Sequence, residues 1–511
     1  MSVPRHRWLT HLLLALLLPA TAALAQSPPA FPGAEGHGAV ASGGRGGAVY
    51  AVTTLAADPA GIQPGSLNHA LAQSGPRTIV VRVSGVIHAF ANVRHGDVTI
   101  AGQTSPGGVI VRGLLCDGHY EQNDCGNLIV RHLRLRPAWN LPIPGGQGCV
   151  DDYDACLDDG LRLDGIDTFI FDHVSIAGAT DEAVQLSWAA DGTIQRSILA
   201  ETVGDHADRG GMLLNYSHPA LPQNRLSVLK NLWYRIGGRL PEITCEASGY
   251  DGDPPSVADC QAHALQLEVS DNYYHDPGFL VWYNRDVDQN PADGPYRVEL
   301  NYVGNHMQAR ASFPYGMVLH DLLDVASNSL YVQGNHLNLY PALADYQLFY
   351  CCNDFPGNAP NTDLGVATRR TGRHPFASVA YFAGDDWSGN LLHNVGALPA
   401  DPMDRRFRAS ALSGTISPVD WGTPLANDAF DLDFPPASPP PAPADSDGDG
   451  MPDAWESAHG LNPNNAADRN GGTLSLPLTG IAGYTNLEVY INLLADARAD
   501  ERIFRNGFDP T

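Results

Sequence analysis

Short runs of apolar and β-branched residues return along most of this chain at intervals of roughly 20 to 30 residues, each closed by glycine, asparagine or an acid. They include Thr78–Val83, Asp97–Ile100, Val109–Val111, Leu128–Leu133, Phe169–Phe171, Thr193–Ile198, Leu226–Val228, Leu265–Val269, Tyr296–Leu300 and Ser329–Val332. No such run can bury a face alone, but stacking one coil on the next gives a continuous core, so the spacing predicts a β-solenoid rather than a two-sheet sandwich. Asn231, Asn272, Asn301, Asn305 and Asn335 follow these strands. Inward turns would let them hydrogen-bond from coil to coil, against the plainer reading of ordinary turn asparagines. The densest stretch, Asp159 to Asp181, sets short strands between acidic turns and is echoed by N-L-W-Y-R-I-G-G-R-L-P from Asn231 to Pro241. Carboxylates and an arginine at repeated strand ends predict a shallow charged groove suited to a long polar polymer.

The ends and the charge narrow the setting. Arg5 and Arg7, a leucine-rich run from Leu9 to Leu18 and Ala23-Leu24-Ala25 make residues 1–25 a signal peptide, too short in its apolar part to span a bilayer. The product is therefore expected to be secreted or held at the cell surface, with a periplasmic location open, as a monomer without a membrane span. The chain has 56 acidic against 30 basic residues, a net charge of −26, and loss of Arg5 and Arg7 would make it −28. Nucleic acid and anionic membranes are poor partners for such a surface, and a polyanionic sugar would need a cation between it and the protein. Eight cysteines in an exported chain argue for disulfides. Local spacing pairs Cys116 with Cys125, Cys149 with Cys156 and Cys245 with Cys260, and leaves the neighbours Cys351 and Cys352 to bridge each other or pair elsewhere. Residues 31–433 are expected to form one large domain, 434–444 a stiff proline-rich linker, and 445–511 a small acidic module.

Two acidic pairs, Asp158-Asp159 and Asp181-Glu182, and between them Asp172-His173, fall in successive coils. Oxygen ligands drawn from neighbouring coils suit Ca²⁺, although acids also cap turns. Asp172, directly after F-I-F, is expected as a buried acceptor for turn amides or His173. Arg239 lies between Gly238 and Leu240-Pro241. Arginine is a poor base in water, so the residues alone favour carboxylate binding through its fork.

The chain resembles the pectate lyase family of parallel β-helix enzymes. The resemblance runs through A-E-G-H-G (Ala34–Gly38), G-G-R-G-G (Gly43–Gly47), G-S-L-N-H-A (Gly65–Ala70), P-R-T-I-V-V-R-V-S-G-V-I (Pro76–Ile87) and I-A-G-Q-T-S-P-G-G (Ile100–Gly108). It continues in N-L-I-V-R-H-L-R-L-R-P (Asn127–Pro137), F-D-H-V-S-I-A-G-A-T-D-E (Phe171–Glu182) and G-R-L-P (Gly238–Pro241), covering Phe31 to about Pro277. It implies an all-β, right-handed parallel β-helix of the pectin lyase-like kind. It also implies calcium-dependent β-elimination on pectate, the homogalacturonan of plant cell walls, leaving 4,5-unsaturated oligogalacturonides. On this resemblance Asp159 and Asp181, helped by Glu182, hold Ca²⁺, and Arg239 removes the proton. Two positions depart from the family: Glu242 stands where an arginine usually follows the proline, and the usual substrate-binding lysine is missing. His206, Arg209 and Arg235 are candidates to bind substrate instead. A glycoside hydrolase acting on a uronate polymer and a noncatalytic polysaccharide-binding solenoid remain as alternatives.

Near the C-terminus, Asp445, Asp447, Asp449, Gly450 and Glu456 reproduce D-x-D-x-D-G-x₅-E. The carbonyl of Met451 and the carboxylate of Asp453 would complete a calcium loop, and Asp468 and Asn470 are weaker ligand candidates. The segment resembles thrombospondin type 3 and EF-hand-like calcium modules, which implies a structural or spacer role.

Overall fold

The computed structural model describes residues 27–118, 121–137, 159–202, 210–218, 220–246, 256–278, 282–283, 294–350, 365–384, 387–419 and 438–499. The expected signal peptide, Asp158, His206, Arg209 and the cysteines at 149, 156, 351 and 352 lie outside the described residues.

A full coil lays down one strand in each of three sheets, and strands pair in parallel with their equivalents in adjacent coils. Among the described residues the sheets hold eleven, nine and seven strands, each stacked in strict sequence order. The architecture is a right-handed parallel β-helix. The long sheet shows why the sequence folds this way. Register carries Val130 to Phe171, Ile194, Val228, Val269, Tyr302 and Val332, one residue per coil, and the whole column belongs to the interior core. Burying each such side chain contributes about 1.5–3 kcal/mol. The neighbouring column, Ile129, Ile170, Thr193, Ser227, Glu268 and Asn301, points outward.

Between the long and the second sheet the chain turns through a left-handed residue, Lys230, Asp271, Gly304 or Gly334, followed each time by an asparagine. Asn231 donates to Asn272 Oδ1 at 3.1 Å, Asn272 to Asn305 at 3.0 Å and Asn305 to Asn335 at 3.1 Å. Asn301 is not a rung: it donates to Glu268 and accepts from the His374 amide on the outer face. Disulfides join Cys116 to Cys125 and Cys245 to Cys260. No helix among the described residues is long and apolar enough to cross a membrane.

Three segments roof the solenoid. Residues 30–44 lie on the middle of the long sheet, where Ala30, Phe31 and Ala41 pack on Ile129 and Ile170. The helix Pro402–Ser413 covers the second sheet with Met403, Phe407 and Ala411 against Ile198, Leu232 and Tyr234. Residues 438–499 do not stand off on a stiff spacer. Pro443 accepts from Arg82, and Met451, Leu487 and Ile491 cluster with Ala101. Apolar residues on both surfaces make docking more favourable than an extended linker.

The roof carries a pH dependence. His37 sits in the middle of that first segment with Ser227 Oγ 2.9 Å from Nδ1, and burial pushes its pKa down to about 4. A buried histidine held neutral contributes stability that is present above its unfolded value and lost as pH falls from about 6.5 to about 4. Urea unfolding at pH 7 and pH 4.5 should therefore show an acid loss smaller in His37→Asn than in the parent, by up to about 2 kcal/mol. Equal acid losses in the two proteins would count against this assignment.

Candidate active site

The third sheet's leading edge brings together residues far apart in sequence. Gly160 N–H donates to Glu182 O, Ala183 N–H to Gly210 O and Gly211 N–H to Gly238 O, each at 2.9 Å. This register stacks Asp159, Glu182, Gly210 and the Gly238-Arg239 pair on successive coils, about 4.8 Å apart. Asp181 joins from the same turn. Oxygens of Asp159, Asp181 and Glu182 lie within 4.8 Å of one another, with Asp159 and Glu182 buried. Asp159 Oδ1 also accepts from the Glu182 amide at 3.0 Å, which fixes one turn against the other.

Arg239 closes the stack from above. Its backbone is left-handed at φ 55°, its guanidinium pairs with Glu182, and its Nε lies 2.9 Å from Glu242 Oε2. Glu182 must reach past an entire coil to make that pair, and Gly210 is why it can. A Cβ at 210 would meet Glu182 Cγ at 2.8 Å.

The electrostatics follow from the packing. Burial, and after it the Asp181 charge, raises the Asp159 carboxyl well above the usual carboxylate range, with Arg162 and Arg239 acting against them. Three acids gathered this closely call for positive charge, and their donors are all hard oxygens. That donor set fits Ca²⁺ better than a thiolate- or imidazole-seeking metal.

The other expected site residues are distributed differently. Arg235, expected to contact substrate, is buried instead, 3.6 Å from Glu201 and 3.3 Å from Asp276, and donates to the Val419 carbonyl. Its left-handed turn aims it into a column of charged turn residues rather than the groove. Asp172 and His173 belong to the turn after the long sheet, not to the acidic cluster. There Asp172 accepts from Arg131, His173 and Gln195, each at 2.8 Å. Burial alone would raise this carboxyl, yet His173 and Arg131 hold it well below the carboxylate range. Lys230, the chain's only lysine, is buried against Glu35.

Two residues of the site escape sequence reasoning. Glu242 stands out as a departure from the family, but its role as Arg239's partner appears only once the turn is folded. Arg162 sits on the third sheet beside Asp159 at 3.9 Å and Asp164 at 2.9 Å, with its side chain 42% exposed. The D-G-L-R-L alternation was the available signal, since it turns Arg162 outward between two inward leucines.

The C-terminal loop forms a second acidic constellation. Asp445, Asp447 and Asp449 group together, and Asp449 groups with Glu456 and Asp468. Asp453, expected as a ligand, is turned away: its carboxylate accepts from the amide and hydroxyl of Ser446, both at 2.7 Å. Asp468 from the following segment groups with Asp449 and Glu456 instead. The Met451 side chain is fully buried. Burial, then Asp449 and Asp447, pushes Glu456 up to about 8; burial, against the Met451 amide, pushes Asp449 to about 7.

No family model matches the chain. It is similar to a protein named "Probable pectate lyase C" from Emericella nidulans, 29% identical over 509 residues, covering 95% of this chain and 96% of that one. A protein of the same name from Aspergillus oryzae is 29% identical over 479 residues, covering 91% and 94%. Among solved structures, a pectate lyase from Bacillus sp. N165 in complex with trigalacturonate matches 71% of this chain and 99% of its own, with 10% identity and a TM-score of 0.39. Pectate lyase C from Erwinia chrysanthemi matches 72% and 97%, with 12% identity and a TM-score of 0.38. The parallel β-helix stands on this chain's own strand order.

Proposed function

We propose that this protein is a pectate lyase that cleaves polygalacturonate by calcium-dependent β-elimination, leaving 4,5-unsaturated oligogalacturonides. The observation that carries the reading is the meeting of Asp159, Asp181 and Glu182 with Arg239 along one sheet edge. Full-length similarity to proteins named pectate lyase supports the same chemistry. The protein is an enzyme, exported as a monomer to act on acidic plant polysaccharide.

Asp159, Asp181 and Glu182 would hold Ca²⁺, which when bound neutralises the uronate carboxylate and acidifies the proton at C5. Arg239 takes that proton. The C5–H electron pair becomes the C4–C5 double bond, and the C4–O bond breaks with the leaving oxygen taking a proton from solvent water. Glu182 and Glu242 hold the guanidinium in place at rest. Desolvation beside a divalent charge is the setting in which arginine can act as a base at all.

The discriminating measurement uses polygalacturonate with calcium. Growth of the ultraviolet absorbance of an unsaturated uronide supports elimination. New reducing ends without that absorbance would indicate hydrolysis, and polymer binding without cleavage would indicate a binding solenoid. The three acids converge on one point instead of facing each other across a sugar, which favours the lyase over the hydrolase.

Arg162, 42% exposed beside Asp159 and Asp164, offers a cation for a neighbouring uronate carboxylate. Arg162→Ala should raise KM by about 10- to 100-fold, as expected for losing a charge-assisted hydrogen bond, with kcat changed by less than about threefold. A drop confined to kcat would reject a substrate-binding role.

A further inference from the structure

The acidic C-terminal loop is pressed against the solenoid, and its charge is not balanced there. Asp447 Oδ2, Asp449 Oδ2, both Glu456 oxygens and Asp468 Oδ1 are buried without a hydrogen-bond partner. Glu456 is 0% and Asp449 1% exposed. Other oxygens of these acids accept within the segment: Asp445 Oδ1 from the amides of Gly448 and Asp449, Asp449 from Met451, and Asp468 from Asn462. Buried carboxylate oxygens left in this state are costly unless a cation joins them.

The same loop is also the contact with the first coils. Arg82, directly after the strand Arg77–Val81, pairs with Asp445 at 3.0 Å. Gly450, at φ 96°, lies so close to Val49, Val80 and Leu487 that an added Cβ would meet them at 3.2–3.3 Å. Behind the loop, Met451, Leu487 and Ile491 cover Ala101, while Gln103 donates to the Ile491 carbonyl and Arg498 to that of Ser105. Val49, Val80 and Ala101 belong to the first three strands of the long sheet, where the solenoid begins. A solenoid end is its weakest part, because its outermost strand has a neighbour on one side only.

We propose that a divalent cation, held by Asp445, Asp447, Asp449 and Glu456 and completed by Asp468, locks residues 438–499 onto the first three strands of the long sheet. The cation is thereby a clamp on the start of the solenoid, separate from the cation of the groove. The inference rests on reading this loop as a calcium site. Without the ion the carboxylates repel one another, the turn at Gly450 loosens, and the apolar face of Val49 and Val80 opens to water.

The test is hydrogen exchange on the full-length protein in calcium chloride and in chelator, alongside calorimetric titration of calcium in an Asp181→Asn background. Calcium should slow exchange of the amides in Ala48–Val52 and Arg77–Val81 by about 100-fold at free calcium near 100 times Kd, if undocking is the route of exchange. Glu456→Gln should abolish that protection, while the strands Ala264–Ser270 and Arg297–Val303 report that the rest of the solenoid is folded. Arg82→Ala, which leaves every carboxylate in place, should keep the calorimetric binding and reduce the protection. No binding attributable to Glu456 would sink the loop as a calcium site. Binding with unchanged exchange in the first strands, or equal protection in Glu456→Gln, would overturn the clamp.

Discussion

Arg239→Lys should reduce turnover on polygalacturonate by about 10²- to 10⁴-fold, the range associated with losing a positioned acid or base, while far-ultraviolet circular dichroism stays unchanged. Lysine keeps the charge and most of the length. It lacks the planar fork that lets Arg239 address Glu182 and Glu242 together while presenting nitrogen to the groove. The fold is safe because Arg239 lies on the sheet edge and contributes its carbonyl to Met212, a backbone contact that lysine preserves. Glu242→Gln separates positioning from chemistry: it loosens the orientation of Arg239 without removing it, so a smaller loss is expected there than in Arg239→Lys. Normal activity in Arg239→Lys would end the proposed mechanism.

How much of this was legible in the sequence depends on strand length. Nearly all the runs recognisable as strands, from Thr78–Val83 to Ser329–Val332, fall in the long sheet, whose strands reach seven residues and alternate inward and outward. The second and third sheets use strands of two to four residues, such as Arg134–Leu135 and Glu242–Ile243. Those are too short to show a period of two, so the sheet carrying the site was the hardest to see. The acids were legible because resemblance marked them, and coil stacking explains why Asp159 and Glu182 meet across a sequence separation of 23. Arg235 misled because an arginine directly after a strand gives no sign of which way its turn points. Its burial between Glu201 and Asp276 is a property of two other coils. Asp453 misled for a local reason, since Ser446 of the same loop occupies its carboxylate with both amide and hydroxyl.

Asn272→Ala should destabilise the solenoid by about 3–5 kcal/mol, far more than a typical surface substitution. Asn272 sits at the middle of the ladder and is fully buried. Its Oδ1 accepts from both the backbone and side-chain amides of Asn231 at 3.1 Å, while its Nδ2 donates to the Val228 carbonyl at 2.9 Å and to Asn305. Alanine leaves donors of Asn231 without this acceptor and Val228 without this donor, each at a cost of about 1–3 kcal/mol inside the core. Linked polar chains can lose more than the sum of their pairs, which pushes the estimate toward the upper end. The protein contains its own control. At the equivalent turn two coils earlier, Ser197 takes the ladder position: its Oγ accepts from the Val174 amide at 3.1 Å and donates to the Gln195 carbonyl at 2.9 Å. Asn272→Ser should therefore recover part of the loss, because a hydroxyl still offers an acceptor to the Asn231 amide. Urea unfolding of the two variants decides the matter. If alanine costs no more than about 1 kcal/mol, or serine no less than alanine, the ladder orders the turns without stabilising them.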